Sequence, residues 1–185
     1  MRQQDQFLRN AMEAHGDTVY RLALCRTQNA ADAEDVYQDV FLHLLGQEDR
    51  DWDGEHLKAW LIRATLNRCT DLHRFRLRRP VLPLEDIPEL ARPADDGAAD
   101  RARQAELWEA VSRLPAALRT AVHLYYAEGY STEEIAAMTD CPPATVRTRL
   151  RRARMKLKDL LGGFDDEREQ LSEADREYPR PRRAE

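Results

Sequence analysis

Four of the chain's nine prolines fall between residues 80 and 100, in "PVLPLEDIPELARPADDGAAD", and no other feature limits the fold as much. Proline fixes φ and lacks the amide hydrogen that helix and sheet ladders use. Pro80, Pro83, Pro88 and Pro93 stand among acids and alanines, so the stretch reads as a linker, not a core element. It cuts a chain of 185 residues into two short pieces and a tail. Elsewhere glycine is scarce, β-branched runs are absent, and apolar residues recur at spacings of three and four, which predicts helix nearly throughout. The expected fold is all-α: two small helical domains at 1–79 and 101–161, a Pro-rich acidic linker at 80–100, and a polar tail at 162–185.

Within the first piece the pattern predicts a helical pair over about 3–26, with Phe7, Met12, Val19, Leu22 and Ala23 inward and a break near Gly16. A second helix is expected over about 30–46, capped by Asn29 and closed by Gly46. A third is expected over about 55–78. In the second piece a helix resumes near Asp100 and runs to about Leu114. Pro115 suits the first turn of the next helix, which ends near Gly129. Hydrophobic residues make up 42% and charged residues 34%, proportions that suit thin helical cores. No run of 18 apolar residues occurs, and the N-terminal stretch is polar where a signal peptide needs an apolar run. The expected location is cytoplasmic, without membrane insertion. Cys25, Cys69 and Cys141 are odd in number and far apart, which argues against a disulfide framework. Cys69 and His73 are spaced i, i+4 but lack a second ligand pair nearby, so neither a metal nor any cofactor is expected.

Charge is unevenly spread. The chain carries a formal net charge of −5, yet Arg147, Arg149, Arg151, Arg152, Arg154, Lys156 and Lys158 follow one another with no acid between. The acidic excess lies in the linker and the tail. Such asymmetry points to localised contact with a polyanion.

Six of these seven cations close the stretch "YSTEEIAAMTDCPPATVRTRLRRARMKL", which has the layout of a helix-turn-helix. Ser131 and Glu134 form a capping box. Ile135, Ala136 and Met138 supply an apolar face, "TDC" is the turn, and Pro142 and Pro143 open the next helix. Val146, Leu150, Ala153, Leu157 and Leu160 are its expected buried stripe, flanked on both sides by cations. Its first turns, with Ala144, Thr145, Arg147 and Thr148, suit base edges, and the later cations suit phosphates.

In the first piece, Val36, Val40, Phe41, Leu44 and Leu45 mark a core face, and Glu34, Asp35, Gln38 and Asp39 lie opposite. On the third helix Leu57, Leu61, Ala64, Leu72 and Phe75 are expected inward. Arg63, Asn67, Thr70, Arg74 and Arg78 form a polar stripe, with Trp60 and Asp71 at its edges. Arginine and asparagine together suit hydrogen bonding to bases and phosphates.

The segments "AEDVYQDVFLHLL", "WLIRATLNRCTDLHR" and "LPAALRTAVHLYYAEGYSTEEIAAMTDCPPATVRTRLRRAR" resemble the bacterial RNA polymerase sigma factors of the sigma-70 family, extracytoplasmic-function (ECF) group. The match runs over about residues 7–161. The resemblance implies region 2 at 1–79 and region 4 at 101–161. It implies a non-enzymatic factor that binds core polymerase, recognises and melts promoter DNA, and starts transcription. It matches Asp35, Gln38 and Asp39, with Glu34 beside them, to the face that binds the β′ clamp helices, and region 4 to the β flap. It matches Arg63, Asn67, Asp71, Arg74 and Arg78 to capture of the melted −10 strand. Ala144, Thr145, Arg147, Thr148, Arg151, Arg152 and Arg154 fall on the helix that reads the −35 element. Ala144 stands where the family commonly has Gly, and Arg147 and Thr148 where it commonly has Lys and Ser. An anti-sigma protein is a further implied partner. The alternative reading is a helix-turn-helix regulator whose N-terminal domain senses a ligand or dimerises. An enzyme is disfavoured, because no Gly-rich phosphate loop, H-E-x-x-H or G-x-S-x-G occurs.

Overall fold

The computed structural model describes residues 2–47, 53–78 and 106–161, and the expected linker and tail lie outside the described residues. These fall into two units, each with its own core. Among the described residues all regular structure is helical.

The first unit holds α1 (Arg2–Thr27), α2 (Ala30–Leu45) and α3 (Gly54–Arg78). The break expected at Gly16 does not occur, and α1 runs through it. Gly16 is buried, and a Cβ there would lie 3.1 Å from the Tyr37 hydroxyl on α2. Glycine costs about 1 kcal/mol relative to alanine inside a helix. Here its missing side chain is the space that Tyr37 occupies. The reversal into α2 uses Gln28 at φ 55°. Asn29 then caps α2 as expected, its Oδ1 accepting from the Asp32 amide at 2.9 Å. Gly46 ends α2 at φ −78°, a conformation open to any residue. At the start of α3, Asp53 Oδ1 accepts from the His56 amide at 2.8 Å.

Val19, Leu22, Ala23, Val36, Val40, Phe41, Leu44, Leu57 and Leu61 are buried as expected, and Phe7, Met12, Ala64 and Leu72 are partly so. Two expectations fail. Leu45 is 40% exposed and Phe75 56% exposed. Leu45 lies one position past Leu44, which turns it off the edge of the stripe. On α3 the buried face runs through Leu57, Leu61, Thr65 and Cys69, with Ile62 and Leu66, and this phase carries Phe75 outward. Thr65 tolerates full burial because its hydroxyl donates to the Leu61 carbonyl at 2.7 Å.

The second unit holds α4 (106–112), α5 (Ala116–Val122), α6 (Thr132–Met138) and α7 (Pro143–Leu160). Pro115 precedes α5 at its N-cap. Buried Arg119 reaches back and donates to the carbonyls of Ser112 at 2.9 Å and Leu114 at 2.7 Å. It thus satisfies acceptors that a helix end leaves open. Beyond α5 the helix widens into a π turn over His123–Ala127, closed by the Glu128 amide on the His123 carbonyl at 3.2 Å. The wider turn lets three successive residues, His123, Leu124 and Tyr125, face inward. Gly129 follows at φ +73°, the left-handed region where glycine carries no penalty.

Gly16→Val tests the close approach of α1 and α2. The added side chain meets the Tyr37 ring, and the expected loss in urea unfolding is about 1–3 kcal/mol. Gly46→Ala, at an ordinary φ, should leave stability unchanged or slightly raised.

Candidate nucleic-acid and partner interfaces

On α2, burial of Ala33, Val36, Val40 and Leu44 turns Glu34, Asp35 and Gln38 outward into solvent. Asp39 is only half exposed. Its Oδ2 accepts from Arg68 of α3, at 2.6 Å from Nε and 2.5 Å from Nη2. Asp32, nearer the helix start, is buried and pairs with Arg76, also on α3. Burial raises the Asp32 carboxyl above its usual range, and the Arg76 guanidinium opposes that rise. The two pairs tie α2 to α3. Neither pair is legible in the sequence, because the partners lie in different helices, and Asp39 is not part of a fully open acidic face as expected. Leu42, 64% exposed, continues that face toward the end of α2.

On α3, Arg63, Asn67, Asp71 and Arg74 are all exposed on the polar stripe, with Asp71 and Arg74 paired at 3.6 Å. Thr70 sits lower, donating to the Leu66 carbonyl at 2.8 Å and accepting from Arg26 of α1 at 3.4 Å. Arg78 closes the helix, and its side chain lies outside the described residues. Trp60 is half buried, its ring centroid 5.3 Å from that of His43.

In the second unit the capping box forms as expected. The Glu134 amide donates to Ser131 Oγ at 3.2 Å, and the Ser131 amide donates to Glu134 Oε2 at 2.8 Å. The turn passes through Asp140 at φ 48°, and Pro142 and Pro143 start α7. Ile135, Ala136, Met138, Val146, Leu150 and Ala153 are buried, and Leu157 is partly so. Leu160, expected in this stripe, is 41% exposed, since no neighbour covers the last turn among the described residues. Ala144, Arg147, Thr148, Arg151, Arg152 and Arg154 are exposed, and Thr145 is half buried.

The basic run lacks acids in sequence but gains one in space. Arg147 Nη1 lies 3.4 Å from Glu133 Oε1 on α6. Arg149 Nη1 donates to Cys141 Sγ at 3.5 Å, and Thr148 Oγ1 bonds the Ala144 carbonyl at 2.9 Å. Among the described residues the side chains of Arg151 and Arg152 make no hydrogen bond or ion pair. Glu133 went unremarked in the sequence, though it adjoins the capping box at the start of α6.

Burial pushes the Cys69 thiol up to about 12, so at neutral pH it is a protonated core side chain, while His73 faces solvent. Among the described residues no three His, Cys, Asp or Glu side chains gather as a metal site. None of the described helices is long and apolar enough to cross a membrane.

Two amphipathic units, one with an acidic helix face and one presenting a basic helix-turn-helix, match known proteins. The model of sigma-70 region 2 matches residues 11–79, and that of sigma-70 region 4 matches residues 104–157. The chain is 33% identical over 153 residues to the ECF RNA polymerase sigma factor SigM of Mycobacterium tuberculosis, covering 80% of this chain and 74% of that one. It is 35% identical over 160 residues to the ECF RNA polymerase sigma factor SigE of Mycolicibacterium smegmatis, covering 83% of this chain and 61% of that one. The sigma factor RpoE of Bartonella quintana, solved with the anti-sigma factor NepR, matches at TM-score 0.67 and 28% identity. That alignment covers 88% of this chain and 98% of RpoE. The chain belongs to the sigma-70 family, within its ECF sigma factors, which are non-enzymatic. A region 2 match through α1–α3 displaces the alternative of a sensing or dimerising N-terminal domain.

The three thiols should separate by burial. Alkylation of the native protein followed by mass spectrometry should mark half-exposed Cys141 first, with Cys25 and Cys69 protected until unfolding. Equal labelling of all three would contradict the packing of α1 on α3.

Proposed function

We propose that this chain joins RNA polymerase core, directs it to a class of promoters, opens the DNA and starts transcription. Domains at 1–79 and 101–161 act as regions 2 and 4, with 80–100 as the connection and the tail at 162–185 outside both. The observation that carries the reading is the separation of charge by helix face. Exposed Glu34, Asp35 and Gln38 stand on α2, and exposed Arg147, Arg151, Arg152 and Arg154 on α7. An acidic protein gains little from DNA by itself, because long-range repulsion opposes encounter. Held by polymerase through α2, it needs only local basic surfaces to touch the promoter.

The acidic α2 face docks on the β′ clamp helices, and the second unit docks on the β flap. Arg63, Asn67, Asp71, Arg74 and Arg78 receive the unpaired −10 strand, where asparagine and arginine offer donors to bases and phosphates. Ala144, Thr145, Arg147, Thr148, Arg151, Arg152 and Arg154 meet the −35 element. Asp39 contributes chiefly by holding Arg68, with its carboxylate left partly open to the polymerase. The site of action is the cytoplasm, with polymerase. RpoE, solved with its anti-sigma factor, supports an anti-sigma protein as a further partner.

Asp35→Arg combined with Gln38→Arg reverses the charge of the α2 face without touching the core. Binding to core polymerase should weaken roughly tenfold or more, with an unchanged circular dichroism spectrum. Asp39 is left alone, since arginine there would face Arg68. Normal affinity for core in the double variant would remove α2 from the interface.

A further inference from the structure

We propose that Glu133 on α6 is a positioning residue for promoter discrimination, holding the Arg147 guanidinium in the orientation that reads a base of the −35 element. This deepens the proposed function and rests on α7 as the −35 reader. Glu133 has a partner at each carboxylate oxygen. Its Oε2 accepts from Thr132 Oγ1 at 3.0 Å, and its Oε1 faces Arg147 Nη1 at 3.4 Å. The backbone beneath it is set by the Ser131–Glu134 capping box, and α6 packs on α7, with Ala136 and Val146 both buried. The carboxylate therefore belongs to a frame that moves with the recognition helix.

Arginine carries five N–H donors in a planar fork. One engaged by Glu133 leaves the others for a bidentate contact with guanine O6 and N7. A side chain already held in its bound orientation loses less freedom on binding, which is worth roughly 2- to 10-fold in affinity for the correct base. Arg151 and Arg152 have no such partner among the described residues, and suit adjustable contacts to phosphate.

Glu133 also has an opposing effect. Its side chain is 66% exposed, and its negative charge beside the DNA face repels phosphate for every sequence alike. Removing it should therefore raise affinity for non-cognate DNA while lowering discrimination. A purely electrostatic residue gives the first effect without the second.

The test uses polymerase holoenzyme reconstituted with the full chain and a library of promoter duplexes randomised across the upstream element. Arg147→Ala should erase preference at one or two base pairs. Glu133→Ala should reduce preference at those same pairs roughly 2- to 10-fold, with non-cognate binding equal or tighter. Glu133→Gln keeps an acceptor for Arg147 without the charge, so it should retain most of the preference. The double variant Glu133→Ala, Arg147→Ala should match Arg147→Ala alone. If Glu133→Ala and Glu133→Gln shift all sequences by one common factor while Arg147→Ala changes the profile, the positioning role is wrong and the −35 reading stands. If Arg147→Ala leaves the profile unchanged, the reading of Arg147 falls and the proposal with it.

Discussion

Seven cations between Arg147 and Lys158 repel one another along α7, and the helix persists because one face of it is buried. The like-charge pairs at spacings of three and four are 147/151, 152/156, 154/158, 149/152 and 151/154, which together cost about 1–2.5 kcal/mol. Burying Val146 and Leu150, both essentially inaccessible, returns about 3–6 kcal/mol. Packing against α5 and α6 therefore outweighs repulsion, and the cations are left on the open face. Were that packing lost, the repulsion would favour an extended chain, and the basic surface would vanish with the helix.

The same division by face operates in the first unit at lower charge density. Alanine and valine on the inner side of α2 leave Glu34, Asp35 and Gln38 outside. The acids nearer the seam do not stay free. Asp32 and Asp39 are taken up by Arg76 and Arg68, so α2 meets α3 through charge as well as through apolar contact. The Asp39–Arg68 pair is close to half exposed and contributes about 0–1 kcal/mol to stability. It lies between the acidic face of α2 and α3, whose polar stripe belongs to the same small unit.

Features with a local cause were legible in the sequence. The Ser131–Glu134 box, the Pro142–Pro143 start and the Val146–Leu150–Ala153 stripe each need only a few neighbouring residues, and all three stand in the structure. Asn29 as a cap is of the same kind. What escaped was tertiary. Gly16 looked like a helix break because its reason, Tyr37, lies on another helix. Thr65 is absent from the expected core, because its hydroxyl bond to the preceding turn is invisible in composition. Leu45, Phe75 and Leu160 are apolar at nearly the right spacing, and only the phase of the real contact turns them outward. Among the candidate site residues the exposed groups could be read as faces of a helix. Their partners, Arg68 for Asp39 and Glu133 for Arg147, could not, because each comes from a different helix.

We propose that this mainly acidic chain gives core polymerase its promoter choice. Run-off transcription by core polymerase on genomic fragments, with and without this protein, tests it most directly. Discrete RNA 5′ ends should arise only when the protein is present, and their upstream sequences should share two separated elements. Transcription that stays as unselective as with core alone would contradict it, as would tight sequence-specific DNA binding by the protein without polymerase.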